Sequence, residues 1–241
     1  MQNKLTPRQS RAWRLCALSV PAAMVLAGRG WLWVLAGSAA ASGIVLFLQT
    51  LQRRSGQSLP EQMARAFGRR SGRLLGAAVC LWLLLAASGA AAASQIAFED
   101  DLGPLAPAVP LLLAALASRK GQAAAARVSG VLALCLALLY SIIALASLRH
   151  VQAAWCRPWG SAADAGLSLC LCLTPACLLF LDGDGQTPRP GWSALAAAVL
   201  PGVAALLCSA CLSPAWTAQL PQPLYTLTKS LSVLSVMQRF E

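Results

Sequence analysis

An all-α, polytopic membrane helix bundle is the fold class this sequence predicts, and three observations predict it. Hydrophobic residues make up 58% of the 241 positions and charged residues only 11%, against roughly 25% charged residues in an ordinary soluble domain. Apolar runs of about 17 to 25 residues recur along the chain, long enough to cross a hydrocarbon core. Basic and non-basic connections alternate between those runs, the pattern by which short cytoplasmic loops are held inside. Residues 1–241 therefore read as a single transmembrane domain with about eight spans and a cytoplasmic N-terminus.

Lys4, Arg8, Arg11 and Arg14 lead into the first span, expected from Arg11 to Gly28. Basic residues before "LCALSVPAAMVLAG" would also suit a secretory leader, but the cleavage site is poor and a new apolar run starts at Trp31. The second span is expected from Trp31 to Leu51, with Arg29 the one charge in the turn before it. Connection 52–73 then carries Arg53, Arg54, Arg65, Arg69, Arg70 and Arg73 against Glu61. Within it Ser58 and Glu61 fit a capping box with Pro60 in the first turn, and Leu59, Met63, Ala66 and Phe67 share one side. That pattern predicts a short amphipathic helix at the inner interface. Either it couples to a partner, or it is a basic loop held on anionic lipid.

The third span is expected from Leu74 to Ala97, followed by an acidic connection with Glu99, Asp100 and Asp101. The fourth, Leu102 to Ala117, is short and has Pro104, Pro107 and Pro110 near its start, so its helix is expected from about Ala108. Arg119, Lys120 and Arg127 mark the connection into the fifth, Ala126 to Leu148. Ala165 to Leu181, Trp192 to Leu212 and Gln222 to Arg239 complete the set. Trp31, Trp33, Trp155, Trp159, Trp192 and Trp216 fall near span ends, where an interfacial aromatic belt forms.

The net charge of +11 is explained by these inner connections and does not call for a nucleic-acid partner. Eight of the nine cysteines lie within apolar runs, so no disulfide framework follows. Cys208 and Cys211 form a C-x-x-C, but one helical turn inside "LLCSACLS", and the lone His150 has no nearby ligand set. With no paired carboxylates in a cleft, no Ser-His-Asp set and no Gly-rich phosphate loop, the chain is expected to be neither an enzyme nor a holder of metal or cofactor.

Two spans are interrupted. Pro21 in "LSVPAAMVLAG" and Pro175 in "LCLTPACLLFL" each stand at the eleventh position of their expected span. A proline removes a backbone hydrogen bond and frees carbonyls that can coordinate a ligand at membrane depth. Spans one and six enter from opposite sides, the geometry of an inverted repeat. An ordinary proline kink in each helix is the plainer alternative.

Four segments together resemble one family. "KLTPRQ", "LPEQMARAFGRRSGRLLG", "APAVPLLLAALASRKGQAAAARVSGVL" and "PLYTLTKSLSVLSVMQRFE" look like blocks, in order, of the permease-like B subunit of bacterial spore germinant receptors, within the amino acid/polyamine/organocation transporter superfamily. The resemblance implies an incomplete 5+5 inverted-repeat (LeuT-like) fold, shortened at its C-terminus. It implies a small-molecule site between broken helices one and six, and assembly with A-type and C-type receptor subunits in the bacterial cell membrane or spore inner membrane. On that pattern Val20, Pro21, Ala22 and Ala23 flank one break, Thr174 and Pro175 the other, and Ser88 and Thr228 add hydroxyls. The function implied is sensing of a germinant such as an amino acid, or receptor assembly. A secondary amino acid transporter and a non-transporting remnant of the family are the alternatives. The last span adds a polar stripe, Thr228, Ser232, Ser235 and Arg239, at spacings of 4, 3 and 4.

Overall fold

The computed structural model describes residues 25–55, 59–103, 108–119, 122–174, 177 and 192–231. All regular structure among these residues is helical. Among the described residues three helices are long and apolar enough to cross a membrane: Trp31–Ser55, Arg70–Gly89 within a longer helix, and Arg127–Ser147.

Helix α1, Trp31–Ser55, is the centre of the packing. Its buried positions Val34, Gly37, Ser38, Ala41, Ser42 and Val45 recur every three or four residues, which places them on one stripe. Small residues dominate that stripe, and close backbone approach is the main source of helix association where lipid removes the hydrophobic drive. Two helices use it: α6, Ala162–Cys172, and α7, Trp192–Leu212. A Cβ on Gly37 would run into the Ala165 carbonyl oxygen. Ser168 donates to the Val34 carbonyl at 2.8 Å, and Ser38 donates to the Ala198 carbonyl at 2.5 Å.

Beyond α1 the chain forms α2, Leu59–Phe67, and reverses at Gly68, whose φ of 86° suits glycine. Helix α3, Arg69–Leu102, then runs for 34 residues, about 51 Å at 1.5 Å per residue. Glu99, Asp100 and Asp101, expected in a connection, are thus its last turn. No glycine or proline occurs between Ala90 and Leu102, and the alanine-rich sequence propagates the helix until Gly103, with φ 54°, and Pro104. The proline cluster leaves α4 to begin at Ala108 and end at Arg119. Its 12 residues rise only about 18 Å, short of the ~30 Å hydrocarbon core.

Helix α5, Gln122–Ser147, is followed by a 3-10 turn at Ala153–Cys156 and by α6. α6 closes at Cys172 with Leu173 donating back to Leu169, two residues before Pro175, which lies outside the described residues. α7 carries Pro201 in its interior. Short helices α8, Pro214–Gln219, and α9, Pro223–Ser230, each begin on a proline, whose fixed φ and missing N–H suit a first turn. Leu231 leaves the helix with an extended ψ of 122°. Ser232, Ser235 and Arg239 lie outside the described residues.

One core joins Leu26, Val34, Ala41, Cys172 and Ala205; a second joins Ala27, Ile143, Cys208, Leu212, Leu227 and Leu231. Only 6% of the spanning stretch of α3 and 11% of that of α5 is buried, against 33% for α1. Leu84 on α3 and Leu138 on α5 accordingly stand on outward faces, as they would toward hydrocarbon.

Candidate functional site

Three connections meet at the N-terminal end of α1. Arg29 and Gly30 precede the helix, residues 148–161 join α5 to α6, and residues 213–222 join α7 to α9. Gly30 and Gly160 touch backbone to backbone. A Cβ on Gly30 would strike the Trp159 carbonyl, and one on Gly160 would stand 2.5 Å from Asp164 Oδ2 and 2.9 Å from the Gly30 Cα. Gly160 also has φ 95°, which disfavours a side chain independently of space. Around this contact Trp31 Nε1 donates to the Cys156 carbonyl at 3.2 Å, and the Gln152 amide donates to the Ala210 carbonyl at 3.0 Å.

Asp164 has two tasks here. Its Oδ2 accepts from the Ser161 amide at 3.0 Å, capping α6, and its Oδ1 lies 3.6 Å from Arg29 Nη1. The carboxylate is 9% exposed and the guanidinium 53%, so Arg29 reaches water while its partner does not. Thr217 closes the other connection. Its hydroxyl is fully buried and donates to the Ser213 carbonyl at 2.5 Å, with the Cys208 carbonyl 3.3 Å away. Ser213 holds φ 72°, a strained value for serine, and its hydroxyl accepts the Trp216 amide at 3.4 Å.

Between the chain before α1, the 213–222 connection and α3 lies a cavity of about 500 Å³, within the usual size of small-molecule pockets. Val25, Gly28 and Arg29 form one wall and Gly89 and Ala92 of α3 another, while the 218–223 segment forms the third. Its charged group is Arg29, and Gln219 and Gln222 add amides. Gln222 is 6% exposed and also lines a second, apolar pocket of about 190 Å³. There Tyr140 and Ile143 of α5 face Leu224, Tyr225 and Thr228 of α9. The first cavity combines Arg29, whose charge Asp164 partly offsets, with two amides and a small-residue wall, which suits a small polar molecule.

The residues singled out in the sequence are distributed differently. Val20, Pro21, Ala22, Ala23 and Pro175 lie outside the described residues. Thr174 follows the end of α6, donates to the Leu171 carbonyl at 2.8 Å and accepts from Trp82 Nε1 of α3 at 3.3 Å. Ser88 is exposed and donates to its own helix at Leu85, 2.8 Å away, although the next residue, Gly89, lines the larger cavity. Thr228 lines the smaller pocket and donates to the Tyr225 carbonyl at 2.7 Å. Ser88, Thr174 and Thr228 therefore have three different sets of neighbours.

The interruption that sequence reading passed over is Pro201. It is fully buried within α7, and the Ser38 hydroxyl reaches the Ala198 carbonyl in the turn before it. Membrane helices tolerate proline where a neighbouring hydroxyl serves the disturbed backbone. The pair Pro201-Gly202 inside an apolar run, opposite the small stripe of α1, was the available signal. No family model, curated protein or solved structure matches the chain.

Proposed function

We propose that this chain is a permease-like membrane subunit that receives a small polar molecule from the outer side, on the pattern of the B subunit of spore germinant receptors. The observation that carries the reading is the roughly 500 Å³ cavity at the N-terminal end of α1, where the end of the first span, α3 and the 213–222 connection meet around Arg29. Of the connections that meet at this end, 29–30 and 213–222 hold one basic residue between them, Arg29, which favours the outer face, while 148–161 adds Arg149 and Arg157. The arginine-rich 52–73 connection lies at the opposite end of α1, which supports a cytoplasmic N-terminus.

In this reading residues 1–241 supply about eight spans of an inverted-repeat (LeuT-like) bundle. The break at Val20–Ala23 stands a few residues before Val25 in the chain, and that at Pro175 directly follows Thr174. A ligand entered through the outer cavity would meet Arg29 first and the broken helices afterwards. Association with A-type and C-type subunits would turn that occupancy into a germination signal.

The test is equilibrium binding of radiolabelled amino acids to the purified full chain, alone and together with A-type and C-type subunits. Saturable binding is expected, weakened about tenfold by Arg29→Gln through loss of a charge-assisted contact. Absence of saturable binding across the panel in both preparations would contradict the reading. Concentrative uptake into proteoliposomes would reassign the chain as a secondary transporter.

A further inference from the structure

We propose that the arginine-rich surface at the C-terminal end of α1 binds the headgroups of anionic phospholipids. Arg53 and Arg54 close α1, Arg65 lies in the last turn of α2, and Arg70 and Arg73 open α3. All five are exposed. Glu61 is the one acidic residue between positions 52 and 73.

The fold gathers these groups instead of leaving them along a loop. Met63 of α2 packs against the core position Val45 of α1, beside Leu48. The Gln62 amide donates to the Ser55 hydroxyl. On the other side Gly72 of α3 approaches α2 so closely that a Cβ would lie 3.2 Å from the Ala64 Cα. Gly68, at φ 86°, makes the reversal between α2 and α3. Three helix segments that each carry arginines thus converge at one end of the bundle.

The occupant is a lipid rather than an acidic protein because apolar surface adjoins the charges. Phe67, directly before the reversal, is 69% exposed, and Leu74, directly after Arg73, is 74% exposed. Leu74 belongs to the stretch Arg70–Gly89 that is apolar enough to span. The arginines therefore stand where hydrocarbon gives way to headgroups, the depth at which basic side chains and an aromatic ring anchor together.

The experiment is native mass spectrometry of the full chain in detergent with equimolar phosphatidylglycerol and phosphatidylcholine. The wild type is expected to retain the anionic lipid at about fivefold preference. Changing Arg53, Arg54, Arg65, Arg70 and Arg73 together to Gln should abolish it, while Arg119→Gln with Arg127→Gln should leave it in place. Equal retention of the two lipids by the wild type, or equal loss in both variants, would overturn the proposal. A second measurement needs no variant: the wild-type preference should decay as NaCl rises toward ~1 M, where screening is nearly complete. A preference unmoved by salt would also overturn it.

Discussion

Gly30 and Gly160 set the limits at the end of α1, because each occupies space that a methyl group cannot share. Gly160→Ala adds a φ of 95° to that crowding. It should destabilise the protein by about 2 kcal/mol, the sum of backbone strain and a displaced neighbour. Thermal unfolding in detergent, followed by circular dichroism, measures the loss, and Gly166→Ala within α6, whose Cβ meets open space, is the control, expected to keep stability or raise it by up to about 1 kcal/mol. Asp164 and Arg29 separate a cap from an ion pair in the same way. Asp164→Ala should cost about 1–2 kcal/mol through the Ser161 amide that it leaves unserved. Arg29→Gln should cost well under about 1 kcal/mol, since its guanidinium is more than half in water. Comparable losses for the two would mean that the pair, and not the cap, holds α6 in place. The glycine contact was invisible in the sequence because composition and periodicity report neighbours along the chain, whereas positions 30 and 160 are joined only by folding.

Among elements, α7 was the most legible. Its apolar run is bounded by Trp192 and by Ser213-Pro214, and the helix occupies the same limits, Trp192–Leu212. α3 was less so. An acidic triplet at 99–101 suggests a connection, but charge does not stop a helix, and alanine-rich sequence continues one until Gly103 and Pro104 intervene. α4 shows the converse, since Pro104 and Pro107 come before its start, Pro110 sits in its first turn, and the helix holds 12 residues. The small-residue stripe of α1 was not singled out in the sequence, and its partners could not be, because a pattern along one helix names a face and not what covers it. Three substitutions test that interface. Ser168→Ala and Ser38→Ala each remove an interhelical hydrogen bond and should lower stability by about 0.6 kcal/mol, the usual value for such bonds in membranes. Gly37→Leu should cost several times more, because the Ala165 carbonyl occupies the space its side chain needs. Equal effects from all three, compared by thermal shift in one detergent, would place the energy of this contact in polarity instead of in close packing.

At the scale of the molecule, α1 separates two chemically different ends. Glycine-mediated turns, a capped α6 and a cavity bearing one arginine stand at its N-terminal end, and five exposed arginines stand at its C-terminal end. Composition and the recurring apolar runs predict an all-helical membrane chain of about eight spans; regular structure among the described residues is helical, and three of those helices are of membrane-crossing length. The cavity itself could not be foretold, because its walls come from positions 25–29, 89–92 and 218–223, and no local pattern links them. That it opens to the outer side is the central claim, and cysteine labelling in intact bacteria tests it most directly. In a Cys156→Ser background, Gln219→Cys on the cavity wall and Ala66→Cys on α2 are each exposed to a membrane-impermeant maleimide. The expected result is labelling of Gln219→Cys in intact cells and of Ala66→Cys only after permeabilisation; the reverse pattern would contradict the claim.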